Sequence, residues 1–264
     1  MAGYLGTKAA LLSTTAADVV GNAEIGGDLT VGGTVTADGL TVDNGVSSSI
    51  RIAGNGNNAV NTEYATLEFY NNDPSTAGPN VAASIKAIST QSTGSGAAMV
   101  FGTTTGSEAE GTPAIERLRI DSSGRVTMPY QPAFYGAYTG VNVSWANNQT
   151  FGWNIVHMNV GNHFNGGTGR FTAPVAGVYS FNYNAWASSG PTQVCFKING
   201  TDWKPTGADT QGIANLASTD GQRTGGATLV IPLSAGDYVH VGMRTGFADT
   251  IYMGHSHFSG YLIG

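Results

Sequence analysis

The run Phe171-Thr-Ala-Pro-Val-Ala-Gly-Val-Tyr-Ser-Phe181 constrains the fold more than any other stretch of the chain. It joins a proline-containing turn, a glycine that ends it, and the start of an alternating segment. From Val178 onward, Tyr179, Phe181 and Tyr183 fall on one face and Ser180, Asn182 and Asn184 on the other. A period of two is what a half-buried antiparallel strand requires, with one face packed inward and the other polar.

Neighbouring segments extend the same pattern. In Val194-Cys-Phe-Lys-Ile-Asn-Gly-Thr-Asp-Trp203, an Asn-Gly pair sits between alternating residues, the strongest short hairpin signal. Residues 227–233 and 238–243 read as strands joined by the turn Ser234-Ala-Gly-Asp237, and nothing after residue 130 reads as an amphipathic helix. The fold class is therefore all-β.

Aromatic residues divide the chain in two. All four Trp lie after residue 130, whereas the first 130 residues carry only Tyr4, Tyr64, Phe69, Tyr70, Phe101 and Tyr130 as aromatics. The first half lacks the material for a conventional one-chain core. Charge divides at the same place: twelve acids face six bases in residues 1–130, and five face five in residues 131–264, so the net charge of −6 is carried entirely by the first half. No basic patch is present to neutralise phosphates, which excludes nucleic acid as a partner. No segment is long and apolar enough for membrane insertion. The N-terminus, with one late lysine and a short apolar run, does not read as a signal peptide.

Three blocks, residues 171–181, Ser234-Ala-Gly-Asp-Tyr-Val-His-Val241 and Phe258-Ser-Gly-Tyr-Leu262, together resemble the globular head of the first complement component, a jelly roll related to tumour necrosis factor. The resemblance covers roughly residues 134–264. It implies a two-sheet jelly-roll β-sandwich, three subunits, and a role in recognition rather than catalysis.

Upstream, Gly27-Asp-Leu-Thr-Val-Gly-Gly-Thr-Val-Thr-Ala-Asp-Gly-Leu-Thr-Val-Asp43 repeats Leu-Thr-Val after eleven residues between Gly-Asp turns. These segments read as short strands. Each is too short to bury its own side chains, so three copies are expected to wind around one axis with Leu29, Val31, Val35, Leu40 and Val42 inside. Further strands are expected at residues 49–52, 65–70, 82–88, 98–101 and 117–120. The Gly-Asp-Leu-Thr-Val repeats, the block Leu67-Glu-Phe-Tyr-Asn-Asn, and Glu116-Arg-Leu-Arg-Ile-Asp-Ser-Ser-Gly-Arg-Val-Thr-Met128 are similar to shaft motifs of bacteriophage tail fibres.

Catalytic constellations are missing from the sequence. Gly-x-Ser-x-Gly, a phosphate-binding loop and a dinucleotide fingerprint are all absent. Each acid of the second half, Asp202, Asp209, Asp220, Asp237 and Asp249, stands in turn-like sequence, where Asp bonds its own backbone more readily than it pairs across a sugar. Cys195 is the lone cysteine, which rules out an intrachain disulfide and a cysteine metal site. We therefore expect no enzyme and no cofactor. The one arrangement with metal-ligand spacing is His255-Ser-His257: on a strand both rings face one way, and in a trimer six imidazoles near the axis would suit a metal ion. The alternative is a pair of neutral imidazoles at the surface or an interface.

Together these readings give an attachment segment at 1–22, a β-rich trimeric shaft at 23–130, and a jelly-roll receptor-binding head at 131–264. The expected protein is a homotrimeric phage tail fibre, made in the host cytoplasm and located in the virion tail. Its first segment would hold a tail or baseplate protein, and its head would adsorb to a host-surface glycan or protein. A capsid decoration or head fibre protein, and a tail spike depolymerase, are the alternatives. Contacts are expected on head loops, with candidates Trp145, Asn147, Asn148, Asp202, Trp203, Lys204, Asp220 and Arg223. For Trp203 two readings stand: a receptor contact, or a ring packed under its own hairpin.

Overall fold

The computed structural model describes residues 28–37, 39–42, 48–54, 59–73, 79–93, 95–106, 111–140, 142–187, 192–203, 213–216 and 223–264. The proposed attachment segment 1–22 lies outside them. Two compact units result, Met1–Arg51 and Ile52–Gly264. Among the described residues no helix is long and apolar enough to cross a membrane.

In the first unit the expected repeat strands are not formed within one chain: residues 28–37 and 39–42 carry no ladder, and neither do residues 48–54, where a further strand was expected at 49–52. The physical reason is that a strand needs a neighbour for its hydrogen bonds, and the described residues of a single copy offer these short segments none. Leu29, Val35 and Leu40 are 67%, 68% and 78% exposed, too much apolar surface for water to hold three large side chains favourably.

The second unit opens with an antiparallel meander. Strands β1 (Glu63–Asn71), β2 (Asn80–Ser89), β3 (Ala97–Thr103), β4 (Ile115–Ile120) and β5 (Val126–Thr127) lie side by side in chain order. The four strands expected at 65–70, 82–88, 98–101 and 117–120 are all present and slightly longer. Leu67 lies opposite Ile85, Ile85 opposite Phe101, and Phe101 opposite Leu118, so one face of the sheet is apolar from edge to edge. Leu67, Phe69, Met99 and Val126 on that face remain about half exposed. Ile52, Leu67, Ile85 and Met99 border an open groove of about 220 Å³ there.

The head follows as β6 (Ala133–Ala137), β7 (Val143–Trp145), β8 (Ile155–Val160), β9 (Phe164–Asn165), β10 (Arg170–Thr172), β11 (Gly177–Ala187), β12 (Thr192–Ile198), β13 (Thr201–Asp202), β14 (Ile213–Leu216), β15 (Arg223–Leu233), β16 (Tyr238–Met243), β17 (Asp249–Ile251) and β18 (His257–Leu262). One sheet runs β7-β17-β11-β18-β6-β8 with β15 also on β11, and the other β13-β12-β16-β10-β9 with β14 also on β12. Pairing within both sheets is antiparallel.

Two inner faces of aromatic rings join the sheets. On β11 the expected face, Tyr179, Phe181 and Tyr183, is fully buried. Phe134 stacks on Phe164 at 4.3 Å and on Phe171 at 5.0 Å, and meets Phe258 edge-on at 4.8 Å. Tyr183 meets Phe196 edge-on at 4.8 Å, and its hydroxyl donates a hydrogen bond to the Val194 carbonyl. Gly260 makes room for this packing, since a Cβ there would collide with the Phe181 ring and come within 2.9 Å of Phe134.

Truncating Phe258 to Ala should cost about 3–5 kcal/mol through lost burial and a cavity. Gly260→Ala should cost about 1–3 kcal/mol by overpacking. Urea midpoints of the two variants measure both effects, and an unchanged midpoint for Gly260→Ala would mean the rings have slack that the packing does not show.

Candidate functional site

The site is built by three loops at one end of the sandwich. Asn199 and Gly200 take positive φ values of 51° and 84°, the left-handed pair of a two-residue hairpin turn, and fold β13 back so that Asp202 lies directly opposite Lys197. Asn199 is tied down from both sides: its amide nitrogen donates to Asp237 Oδ1 at 2.8 Å and its oxygen accepts the Tyr238 N–H at 2.9 Å. A second turn, Ala146–Gln149, is closed by Gln149 N–H donating to the Ala146 carbonyl at 3.1 Å. It puts Asn148 at φ 62°, a conformation asparagine tolerates. The third loop is Thr245-Gly246.

Side chains stitch the three loops together. Lys197, 1% exposed at its side chain, donates from Nζ to Asp202 Oδ1 and, at 2.7 Å, to Asn148 Oδ1. The other oxygen of Asp202 accepts Thr245 N–H at 2.9 Å, and Asn147 Oδ1 accepts Gly246 N–H at 2.7 Å. Burial pushes the Asp202 carboxyl up, but the hydrogen bonds from Lys197 and Thr245 outweigh it and hold the group below the usual carboxylate range. Above this floor lies an open cleft of about 550 Å³ bordered by Asn148, Gly200, Thr201, Asp202 and Thr245. Amide, hydroxyl and carboxylate groups line it, so it offers donors and acceptors to a neutral polar ligand.

Residues 133–263, which contain every one of these loops, match the family model of the C1q domain. The head is a C1q-type jelly roll. Similar solved structures include the globular domain of a zebrafish complement 1qA protein, 22% identical over 51% of this chain and 98% of that one, TM-score 0.40. Eiger TNF from S. frugiperda is 15% identical over 51% and 93%, TM-score 0.38, and murine APRIL 13% over 50% and 98%, TM-score 0.35. No curated protein matches the chain.

Within the C1q head, Asn147, Asn148 and Asp202 come together in one cluster. Trp145 does not join them. The alternation of β7 turns its ring inward, 9% exposed and 4.9 Å from Phe151, so it serves the core. Trp203 also packs against the core, half-buried, with its backbone N–H donating to the Phe196 carbonyl at 2.9 Å. Of its two readings the packing one describes its position. Lys204 and Asp220 lie outside the described residues, and Arg223 is described only as the backbone partner of Ala187.

The two histidines do not share a strand face. His255 closes the 3-10 turn Met253–His255 and lies against Trp186 at 4.3 Å, while β18 begins only at His257. The two-residue alternation that would aim both rings one way stops at that turn. His257 instead stacks on Tyr135 at 5.7 Å and contacts Asn182 Oδ1 at 3.3 Å. Burial lowers its affinity for a proton. Among the described residues of one chain, no group of three or more His, Cys, Asp or Glu side chains could hold a metal.

Three contributors were not singled out from the sequence. Lys197, Thr245 and His240 become visible as a group only through strand pairing, although a lysine inside the apolar run Val194-Cys-Phe-Lys-Ile198 was a readable signal. Cys195, on the same face as Lys197, has its thiol pushed up to about 12 by burial and by the neighbouring Asp202 carboxylate, so it is no thiolate nucleophile at neutral pH. His240 lies across from Lys197 on β16, 2% exposed, with neither ring nitrogen hydrogen-bonded. Burial, followed by the nearby charges of Arg170 and Lys197, moves its pKa from 6.5 down to about 4.

From that shift the head is expected to lose stability in acid. The folded state binds the His240 proton less tightly than the unfolded state, so its contribution is complete above about pH 6.5 and is lost as pH falls through about 4. The full loss is about 3 kcal/mol. Melting temperatures measured across this window should fall for the parent protein and fall less for His240→Leu. Parallel curves for the two proteins would assign the acid sensitivity to other groups.

Proposed function

We propose that this chain is a homotrimeric fibre protein of a bacteriophage virion, whose C1q head binds the host cell surface. The observation that carries the reading is the large apolar side chains that one chain leaves in water in each unit, Leu29 and Leu40 in the first and the Leu67, Phe69 and Met99 face in the second. Three copies wound on one axis would bury them, and the phage-shaft likeness of the same segments supports that assembly. Three heads on one shaft would convert weak contacts into firm adsorption, because the second contact becomes intramolecular.

The binding site in this reading is the cleft above Lys197 and Asp202. Its amides and hydroxyls suit the hydroxyl groups of a glycan, and its charges are already paired with each other. The role is adsorption rather than turnover, with the virion tail as the location.

Three measurements test the reading. Native mass should give three times the chain mass, and Leu40→Asp combined with Leu29→Asp should shift the protein toward smaller species. A folded monomer at low micromolar concentration would overturn the assembly. Purified full-length protein should block adsorption of its phage to host cells, and Thr201→Trp, which fills the cleft from an exposed position, should abolish the block without lowering the melting temperature. A native trimer that never competes would overturn the receptor-binding role. Immunogold labelling of the capsid instead of the tail would overturn the location.

A further inference from the structure

The polar floor of the cleft carries a second kind of chemistry. We propose that Lys197 and Asn148 condense into an intramolecular amide bond, with Asp202 as the proton carrier.

Three groups needed for such a condensation meet at one nitrogen. Lys197 Nζ is the nucleophile, and its side chain is 1% exposed; a lysine desolvated in this way is the kind that attacks carbonyl carbon. Asn148 supplies the electrophile. Its Oδ1 accepts a hydrogen bond from Nζ at 2.7 Å, which holds the side-chain amide against the amine; rotation of that amide about its Cβ–Cγ bond would then turn Cγ toward the nitrogen. Asp202 contacts the same Nζ from the adjacent strand.

The surroundings favour the step. Thr245 Oγ1 lies 3.5 Å from Asn148 Oδ1, placed to donate to the oxygen on which negative charge develops. The second Asp202 oxygen is held by Thr245 N–H, which fixes the carboxylate against rotation. Asn148 is itself exposed, so the leaving group has a path to solvent.

The step balances without any other reactant. Lys197 passes one proton to Asp202 and becomes a neutral amine, whose lone pair forms the Nζ–Cγ bond. The transfer is uphill while the ammonium holds the carboxyl low, and the loss of that charge in the product lets the carboxyl keep its proton. A second Lys197 proton moves to Asn148 Nδ2, the Cγ–Nδ2 bond breaks, and ammonia leaves. Asp202 keeps the first proton and can donate it in a hydrogen bond to the new amide. The product ties positions 49 apart in sequence, joining the Ala146–Gln149 turn covalently to β12 beneath the cleft.

Peptide mass spectrometry of the purified full-length chain tests this. The expected result is a mass lower than that of the sequence by one ammonia, with a tryptic fragment that joins the Asn148 peptide to the Lys197 peptide and no cleavage after Lys197. Asn148→Ala, on an exposed turn, and Asp202→Ala should each restore the full mass and cleavage at Lys197. Unlinked peptides in the parent protein would overturn the proposal. A loss of ammonia that survives Asn148→Ala would also overturn it, by placing the loss at another amide. A loss of one water with Lys197 joined to Asp202 would overturn the assignment of Asn148 as the partner.

Discussion

Ring packing between the two head sheets is the interaction on which the rest of the structure depends. Phe134, Phe181 and Phe258 from one sheet meet Phe164, Phe171 and Phe196 from the other, at centroid separations between 4.3 Å and 6.3 Å. Offset and edge-on contacts at such distances add to the burial of the rings themselves. The sheets are thereby fixed against each other closely enough that loops at their end can hold side chains to hydrogen-bond precision. The cleft is a product of that rigidity.

The outer face of the second sheet shows the opposite logic. Lys197, Cys195 and His240 are nearly or fully buried there, away from the ring core. A buried ammonium without partners would cost several kcal/mol, and the Asp202 and Asn148 oxygens offset that cost. His240 has no such partners, and its environment keeps it neutral. Polar groups in this layer therefore exchange stability for a built site, whereas the ring core supplies stability alone.

The first half of the chain depends on a different constraint. Its apolar residues are spaced for a surface rather than for a closed core: the meander from β1 to β5 has one apolar face with half-exposed Leu67, Phe69 and Met99. The repeats before it have no partner strand among the described residues of one chain. Hydrophobic surface of this extent is uncommon on a monomer, and the same side chains that cannot be buried by one copy fit an assembly of several.

Much of this was legible in the sequence. Alternation at 178–184 determined which side of β11 is buried, the Asn199-Gly200 pair determined the hairpin, and the blocks at 171–181, 234–241 and 258–262 marked a C1q head, because strand period and turn chemistry are local properties. The site was only partly legible. Asn147, Asn148 and Asp202 were named as loop residues, but the residue that joins them, Lys197, hides in a strand, and Thr245 lies 43 positions from the Asp202 carboxylate that its backbone binds. Local reasoning also placed both Trp145 and His255 wrongly in orientation, the first because a short strand turned it inward and the second because a 3-10 turn interrupted the alternation. The sequence by itself determined the strands, their faces and the turns. Only the tertiary structure decided which loops converge and which charges are buried together, because those outcomes depend on how two sheets stack and on contacts between residues far apart in the chain.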